Sequence, residues 1–201
     1  HYTGMKKEAD AIKRLCDPNS KVSSHYFIKK NGSVLNLVPD LYTAWHAGKS
    51  NWKKLKFLNK YSIGIEISNP GHEFGYKKFS SKQIISLIKL LRYLVKNYSI
   101  KKENILGHSD VAPDRKKDPG EKFPWKQLAN ENLSNWHNLN ENKIKKNRNF
   151  KIELFEEKIF FKNLYNIGYS RIKNVKNKNN KKINLIKTFQ RKYRQNLING
   201  R

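Results

Sequence analysis

The chain has 201 residues, 37% hydrophobic and 12% aromatic, enough for a buried core in one or two domains and too aromatic for wholesale disorder. Its 43 Lys and Arg outnumber 16 Asp and Glu, a formal net charge of +27. That charge points to an anionic partner such as nucleic acid, an acidic membrane or an acidic polymer. The single cysteine, Cys16, excludes an internal disulfide framework and a Cys-rich zinc module, and the longest apolar stretch, Ile84 to Val95, is broken by Lys89 and Arg92. No segment is therefore expected to span a membrane.

Residues 1–129 read as alternating strands and helices. Glu8 to Leu15 is a short helical candidate. Tyr26 to Lys29 and Ser33 to Val38 are β-prone runs joined through Asn31-Gly32, a dipeptide that tolerates positive φ, and predict a hairpin. Tyr61 to Ser68 alternates around Ile63, Ile65 and Ile67 and predicts a half-buried strand. Ser80 and Gln83 form a capping-box pair ahead of Ile84, Leu87, Ile88, Leu91, Leu94 and Val95, which recur at helical spacing. Ile105-Leu106-Gly107 reads as a short strand leading into a loop, His108 to Trp125, punctuated by Pro113, Pro119, Gly120 and Pro124. From Asn130 to Asn149 the chain is dominated by Asn, Lys and Glu and reads as a linker. Apolar periodicity resumes at Ile152, Phe155, Ile159 and Leu164, and again at Ile183, Ile186, Phe189 and Tyr193, with a Lys/Asn loop from Lys173 to Lys182 between. Residues 150–201 thus predict a small all-α C-terminal domain near the lower size limit for independent folding.

Two places along the chain invite chemistry. His108 stands at a predicted strand end in Gly107-His108-Ser109-Asp110, and Asp118 follows across a Pro/Gly loop. With one more imidazole they would make a two-His, one-carboxylate set with an open fourth position, as catalytic zinc is held. The alternative is a loop with an incidental His and a capping Asp. Glu66 interrupts the apolar strand Ile63 to Ile67 and points to the face opposite the isoleucines. It is either a solvent-facing strand residue or a carboxylate placed to take a proton from an attacking water.

These segments together resemble the zinc-dependent N-acetylmuramoyl-L-alanine amidases of the type-2 amidase fold, related to peptidoglycan recognition proteins. The resemblance runs through His1-Tyr2-Thr3, Val22-Ser23-Ser24-His25-Tyr26, Ala44-Trp45-His46-Ala47-Gly48, Ser62-Ile63-Gly64-Ile65-Glu66 and Gly107-His108-Ser109-Asp110. It finishes at Arg115-Lys116-Lys117-Asp118-Pro119-Gly120 and Phe123-Pro124-Trp125. It implies an α/β fold, a mixed central β-sheet flanked by helices, with His1, His108 and Asp118 as ligands of one zinc ion. Glu66 matches the catalytic glutamate and Lys116 the catalytic lysine. The implied reaction is hydrolysis of the amide between the lactyl group of N-acetylmuramic acid and L-alanine. Trp45 and His46 are candidate substrate contacts, or else a core Trp beside a His that supports a neighbouring ligand. Residues 150–201 resemble a helical peptidoglycan-binding domain through Leu164 to Tyr169, the Phe189-Gln190 pair in its amphipathic helix, and Asn199-Gly200. A wall-binding module on a flexible linker would raise the local substrate concentration. The family carries its first zinc histidine at the end of a buried strand, and its helical domain closes beyond the position of Arg201, so both ends are expected to be trimmed.

Three other readings compete. A nucleic-acid-binding protein would fit +27, but Lys, Asn and Ile are enriched together throughout, as in an AT-rich genome, rather than on one basic face. A basic surface also suits the carboxylate-rich stem peptides of peptidoglycan. A non-catalytic receptor would not need the full ligand set His1, His108 and Asp118, and a copper site on His1 alone would leave Asp118 and Glu66 unexplained. The expected partner is therefore peptidoglycan or muropeptides, not nucleic acid, and the expected state a monomer. The expected place is the bacterial envelope, periplasmic or associated with the outer membrane, with the cytoplasm as the second location.

Overall fold

Near its start the chain forms α1 (Glu8–Cys16), with Glu8 and Asp10 in the first turn and Lys13 and Arg14 in the last, charges that complement the helix dipole. The computed structural model describes residues 1–147, 153–172 and 177–201. β1 (Tyr26–Ile28) and β2 (Val34–Asn36) pair antiparallel with Phe27 opposite Leu35. The predicted hairpin turn is closed by the Ser33 N–H donating to Asn31 Oδ1 at 2.9 Å.

β3 (Asn51–Trp52) and β4 (Leu55–Lys56) make a separate two-stranded ribbon. β5 (Ile65–Ile67) lies parallel to β1, so the main sheet has the order β2-β1-β5, and Tyr2 adds a parallel bridge to Ile67 on the far side. The sheet is therefore mixed, as expected. β5 is shorter than the predicted strand from Tyr61 to Ser68. Its ladder cannot extend toward Tyr61 because the Gly64 N–H donates to the His25 ring at 3.0 Å rather than to a strand, and residues Leu58–Lys60 form a 3-10 turn.

α2 (Ser81–Tyr98) starts at the predicted capping box: Gln83 N–H donates to Ser80 Oγ at 3.2 Å and Ser80 N–H to Gln83 Oε1 at 3.0 Å. Gln83 is itself buried and donates to Ser68 O at 2.8 Å, which fixes the helix against the end of β5. Ile84, Leu87, Ile88, Leu91 and Leu94 pack on Ile28 and Ile67, and Phe123, Trp125 and Leu128 close this core. Truncating one such leucine to alanine typically costs about 2–5 kcal/mol.

The strand predicted at Ile105-Leu106-Gly107 does not form. No strand pairs with it among the described residues, and the chain turns directly into the one-turn helix α3 (His108–Val111). α4 (Trp125–Asn130) follows. Within the segment read from composition as linker, Leu133 is 3% exposed and joins the sheet–helix core, Trp136 packs on Tyr193, and α5 (Glu141–Asn147) is helical.

The two helices predicted near the C-terminus are α6 (Leu154–Ile167) and α7 (Lys178–Tyr193). α7 begins inside the expected Lys/Asn loop; Ile152, residues 148–149 of the expected linker and 173–176 of that loop lie outside the described residues. Phe161, Leu164, Tyr169 and Leu185 share a second core with Ala47, Trp52, Leu58 and Val111. The contact is close: Lys53 N–H donates to Gly168 O at 2.7 Å, and a Cβ on Gly168 would lie 2.7 Å from the Trp52 ring. Among the described residues no helix is long and apolar enough to cross a membrane.

Candidate active site

β5 alternates, so Ile67 enters the core beneath α2 while Glu66, opposite Phe27 on β1, faces the other way. His1 is laid alongside the same strand: its N donates to Ile65 O at 2.8 Å, and Ile67 N–H donates to His1 O at 3.1 Å. The His1 ring is thereby carried to the face that holds Glu66. α3 begins at His108, and the Ser109 N–H donates to Asp118 O at 2.9 Å, so the loops bearing His108 and Asp118 are joined through their backbones. The residues singled out from the far ends of residues 1–129 therefore converge. His1, His108 and Asp118 each offer a ligand atom within 4.8 Å of the others.

Hydrogen-bond partners determine what those atoms are. His108 Nε2 lies 3.0 Å from Ala47 O, a carbonyl that can only accept, so Nε2 carries the proton. In the neutral ring Nδ1 is then a lone pair, and it lies 3.3 Å from Asp118 Oδ2. Burial pushes the His108 pKa down and keeps that ring neutral, with the positive His1 adding to the effect against the pull of Asp118.

The same logic orders His1. His46 Nε2 lies 3.3 Å from Ser62 O and must donate to it, and burial together with the neighbouring His1 pushes the His46 pKa down to about 2. His46 Nδ1 is therefore an acceptor, and His1 Nε2, 3.1 Å away, donates to it. The remaining nitrogen of His1, Nδ1, lies 3.0 Å from Asp118 Oδ2.

His1 Nδ1, His108 Nδ1 and Asp118 Oδ2 thus face one another, two nitrogens and a carboxylate oxygen gathered where a positive charge, a proton or a metal ion, is favoured. The titration of the group reports the same pull. His1 is raised: burial opposes its charge, but the hydrogen bond to Asp118 and the charges of Glu66 and Asp118 outweigh burial. Asp118 is buried, which opposes its charge, yet its contacts with the His1 and His108 rings hold its carboxyl well below the usual range. Two nitrogen donors and one oxygen donor fit a zinc-type ion with an open position. These three residues form a candidate metal site.

Glu66 Oε1 is 4.0 Å from His1 Nδ1, while its Oε2 is buried and has no partner among the described residues. Burial pushes its pKa up to about 7, against the lowering effect of His1. Glu66 is therefore not a solvent-facing strand residue: its side chain is only 15% exposed and faces the cleft. Lys116 lines a cleft of about 390 Å³ together with His1, Glu66, His108 and Asp118, and its charge acts on both His1 and Glu66.

Trp45 is 51% exposed at the rim of this cleft, which excludes the core position considered for it, whereas His46 turns its ring toward His1. The sequence reading missed a chain beside the site, in which Tyr2 Oη meets His72 Nδ1 at 2.9 Å and His72 Nε2 meets Glu121 Oε2 at 3.1 Å. Its only sequence signal is that Tyr2 follows His1 and Glu121 follows the Asp118 loop. Asp110, in the same motif as His108, also received no role from the sequence. Its carboxylate is buried, accepts a hydrogen bond from Tyr169 just after α6 and pairs with Lys192 of α7.

A model of the N-acetylmuramoyl-L-alanine amidase family matches residues 1–121. N-acetylmuramoyl-L-alanine amidase AmiD of Escherichia coli (strain K12) is 39% identical over 148 residues, which cover 68% of this chain and 52% of AmiD. The 1,6-anhydro-N-acetylmuramyl-L-alanine amidase AmpD of Haemophilus influenzae is 37% identical over 108 residues, 53% of this chain and 56% of AmpD. The chain thus spans about half the length of the curated relatives it matches. Among solved structures, E. coli AmiD in complex with the substrate anhydro-N-acetylmuramic acid-L-Ala-D-gamma-Glu-L-Lys matches with a TM-score of 0.82 and 31% identity. That match covers 100% of this chain and 80% of the AmiD chain. With the family model matched across the whole of the converging site, this chain belongs to the N-acetylmuramoyl-L-alanine amidase family.

Proposed function

We propose that the chain hydrolyses the amide bond between the lactyl group of N-acetylmuramic acid and L-alanine in peptidoglycan or muropeptides, using one zinc ion, in cell-wall turnover or recycling. The observation that carries this reading is the convergence of two imidazole nitrogens and the Asp118 carboxylate beside Glu66, whose buried Oε2 has no hydrogen-bond partner among the described residues. Support for the substrate class comes from AmiD, whose solved complex contains an anhydro-muropeptide.

In this reading His1, His108 and Asp118 hold the zinc. The chemistry a zinc ion supplies when bound there is polarisation of the scissile carbonyl and activation of water near neutral pH. Glu66 takes a proton from the attacking water and delivers it to the departing alanine nitrogen. The water oxygen joins the lactyl carbonyl carbon as the carbon–nitrogen bond breaks, so the products are a free lactyl carboxylate and a stem peptide with a free amine. The Lys116 ammonium stabilises the negative charge that develops on the carbonyl oxygen. Two positioning contacts support this centre: the His46 ring orients His1, and Ala47 O orients His108. Trp45, exposed at the cleft rim, offers a flat apolar face to the substrate.

Residues 1–129 act as the catalytic domain, 130–149 as the connection and 150–201 as a helical peptidoglycan-binding domain, in a monomer of the bacterial envelope. Leu154 and Phe155, both largely exposed on α6, offer an apolar surface to the wall. Replacing both with serine should weaken sedimentation with insoluble peptidoglycan and spare cleavage of a small soluble muropeptide.

The test of the activity is incubation of purified muropeptides with the zinc-loaded protein, with a chelator as control. Release of stem peptides that begin at L-alanine, abolished by the chelator, supports the reading. Binding without release, at full zinc occupancy, would make the chain a receptor instead.

A further inference from the structure

We infer that the C-terminal segment holds the metal site in shape, with Tyr169, just after α6, and Lys192 of α7 positioning His108 through the carboxylate of Asp110; this rests on the zinc site proposed above. α3 is a single turn of four residues, too short to be stable by itself, and it carries His108 at its first position. What holds it is Asp110, 2% exposed. Asp110 Oδ2 accepts the Gly107 N–H at 2.9 Å, which closes the turn around His108.

The rest of that carboxylate is satisfied from the C-terminal segment. Tyr169 Oη donates to Asp110 Oδ1 at 2.7 Å, and Lys192 Nζ of α7 lies 3.5 Å from Oδ2. Lys192 is only 6% exposed, whereas lysine is almost never buried unless paired. Its ammonium sits 4.1 Å from the centroid of the Trp125 ring and 3.4 Å from Ile105 O, just upstream of the His108 turn. The Tyr169 hydroxyl stays protonated and able to donate, because burial and the Asp110 charge raise its pKa. Around these polar contacts Val111 of α3 packs with Phe161, Leu164 and Leu185.

The consequence for the site follows from connectivity. Asp110 is two residues from His108, and the intervening Ser109 N–H is bonded to Asp118 O. A shift of the Asp110 carboxylate therefore displaces two of the three ligand-bearing residues together. A tether that served only to bring the wall near would need no buried ion pair beside a ligand. The geometry instead makes α7 and the residues after α6 a structural wall of the catalytic centre.

The test uses the full chain with Tyr169→Phe, Lys192→Met and Lys192→Arg, and with Leu164→Ala as a control that loosens the shared core without touching Asp110. Zinc affinity is measured by competition with a chromophoric chelator, and ligand geometry from the visible absorption of the cobalt-substituted protein, below the melting temperature of every variant. Lys192→Met and Tyr169→Phe should each weaken zinc about tenfold or more and alter the cobalt spectrum. Lys192→Arg should restore both, and Leu164→Ala should lower the melting temperature with affinity unchanged. If Lys192→Met does not fold, Tyr169→Phe, which removes a single hydroxyl, decides. Folded variants with wild-type zinc affinity and spectrum would overturn the positioning role and leave the amidase reading standing. An equal loss in Leu164→Ala would also overturn it, as general loosening. Wild-type protein that binds no zinc would overturn both.

Discussion

Replacing Gly64 with alanine puts a methyl group into the space occupied by the His46 ring. A Cβ at this position would lie 2.3 Å from His46 Cγ and 2.6 Å from Cδ2, roughly 1 Å short of an ordinary contact. The backbone cannot retreat easily, because Gly64 O accepts from the His25 and Tyr26 amides at 3.0 and 3.1 Å and Gly64 N–H donates to the His25 ring. Gly64 is outside the left-handed region, so the cost is steric and the ring has to yield. Overpacking of this kind costs about 1–3 kcal/mol, which for a chain of this size lowers the melting temperature by about 2–4 °C per kcal/mol. As His46 moves, His1 loses the acceptor that orders its Nε2, and zinc affinity should fall by about tenfold.

The assay is a double-mutant cycle: Gly64→Ala, His46→Ala and both together, followed by thermal melts and zinc competition. Once the ring is gone the methyl group has room, so Gly64→Ala should cost little in the His46→Ala background. Additive losses would refute the clash, and an unchanged melting temperature in Gly64→Ala alone would refute the packing argument altogether.

Glu66→Ala should leave zinc binding near normal and lower turnover by about a hundredfold or more, as loss of a general base does; full turnover measured in that variant would remove Glu66 from the mechanism. Lys116→Met should lower kcat by about a hundredfold with a smaller change in KM, since its charge is needed most when the carbonyl oxygen becomes negative; a pure KM effect would make Lys116 a binding residue. Glu121→Gln tests the neighbouring chain to His72. The hydrogen bond to His72 holds the Glu121 carboxyl below its usual range despite burial. The carboxylate therefore stabilises the fold above its unfolded pKa, and that contribution is lost as pH falls through the lower folded value. Urea midpoints should show the variant weaker by up to about 1 kcal/mol near pH 6 and equal to wild type in strong acid; a constant difference across pH would contradict the assignment.

Much of this architecture was legible because its causes are local. Ser80 and Gln83 cap α2 by contacts within one turn, Asn31-Gly32 closes the hairpin by a side-chain bond two residues long, and alternation along Ile63 to Ile67 sets Glu66 off from the core. The boundaries of β5 were not legible, because the Gly64 amide is claimed by the ring of His25, thirty-nine residues earlier. Nor was the missing strand at Ile105 to Gly107, since a strand exists only through a partner and apolar residues alone do not supply one. His108, Asp118 and Glu66 stood out by position in the sequence. His1 was named only through the resemblance carried by His1-Tyr2-Thr3; the long-range pairing beside β5 that brings it to them is encoded by no local pattern. The role of Asp110 was hidden for the same reason: its partners Tyr169 and Lys192 sit in a segment whose composition suggested separation rather than docking.

The central claim is that this site breaks one particular amide bond by adding water to its acyl side. A defined muropeptide incubated with the zinc-loaded chain in water labelled with heavy oxygen, followed by mass spectrometry of both products, tests it most directly. The account predicts label in the lactyl carboxylate of the muramic acid product, none in the released peptide, and a peptide that begins at L-alanine. Label in a peptide carboxylate, or an intact muramyl–alanine bond with cleavage elsewhere, would contradict it.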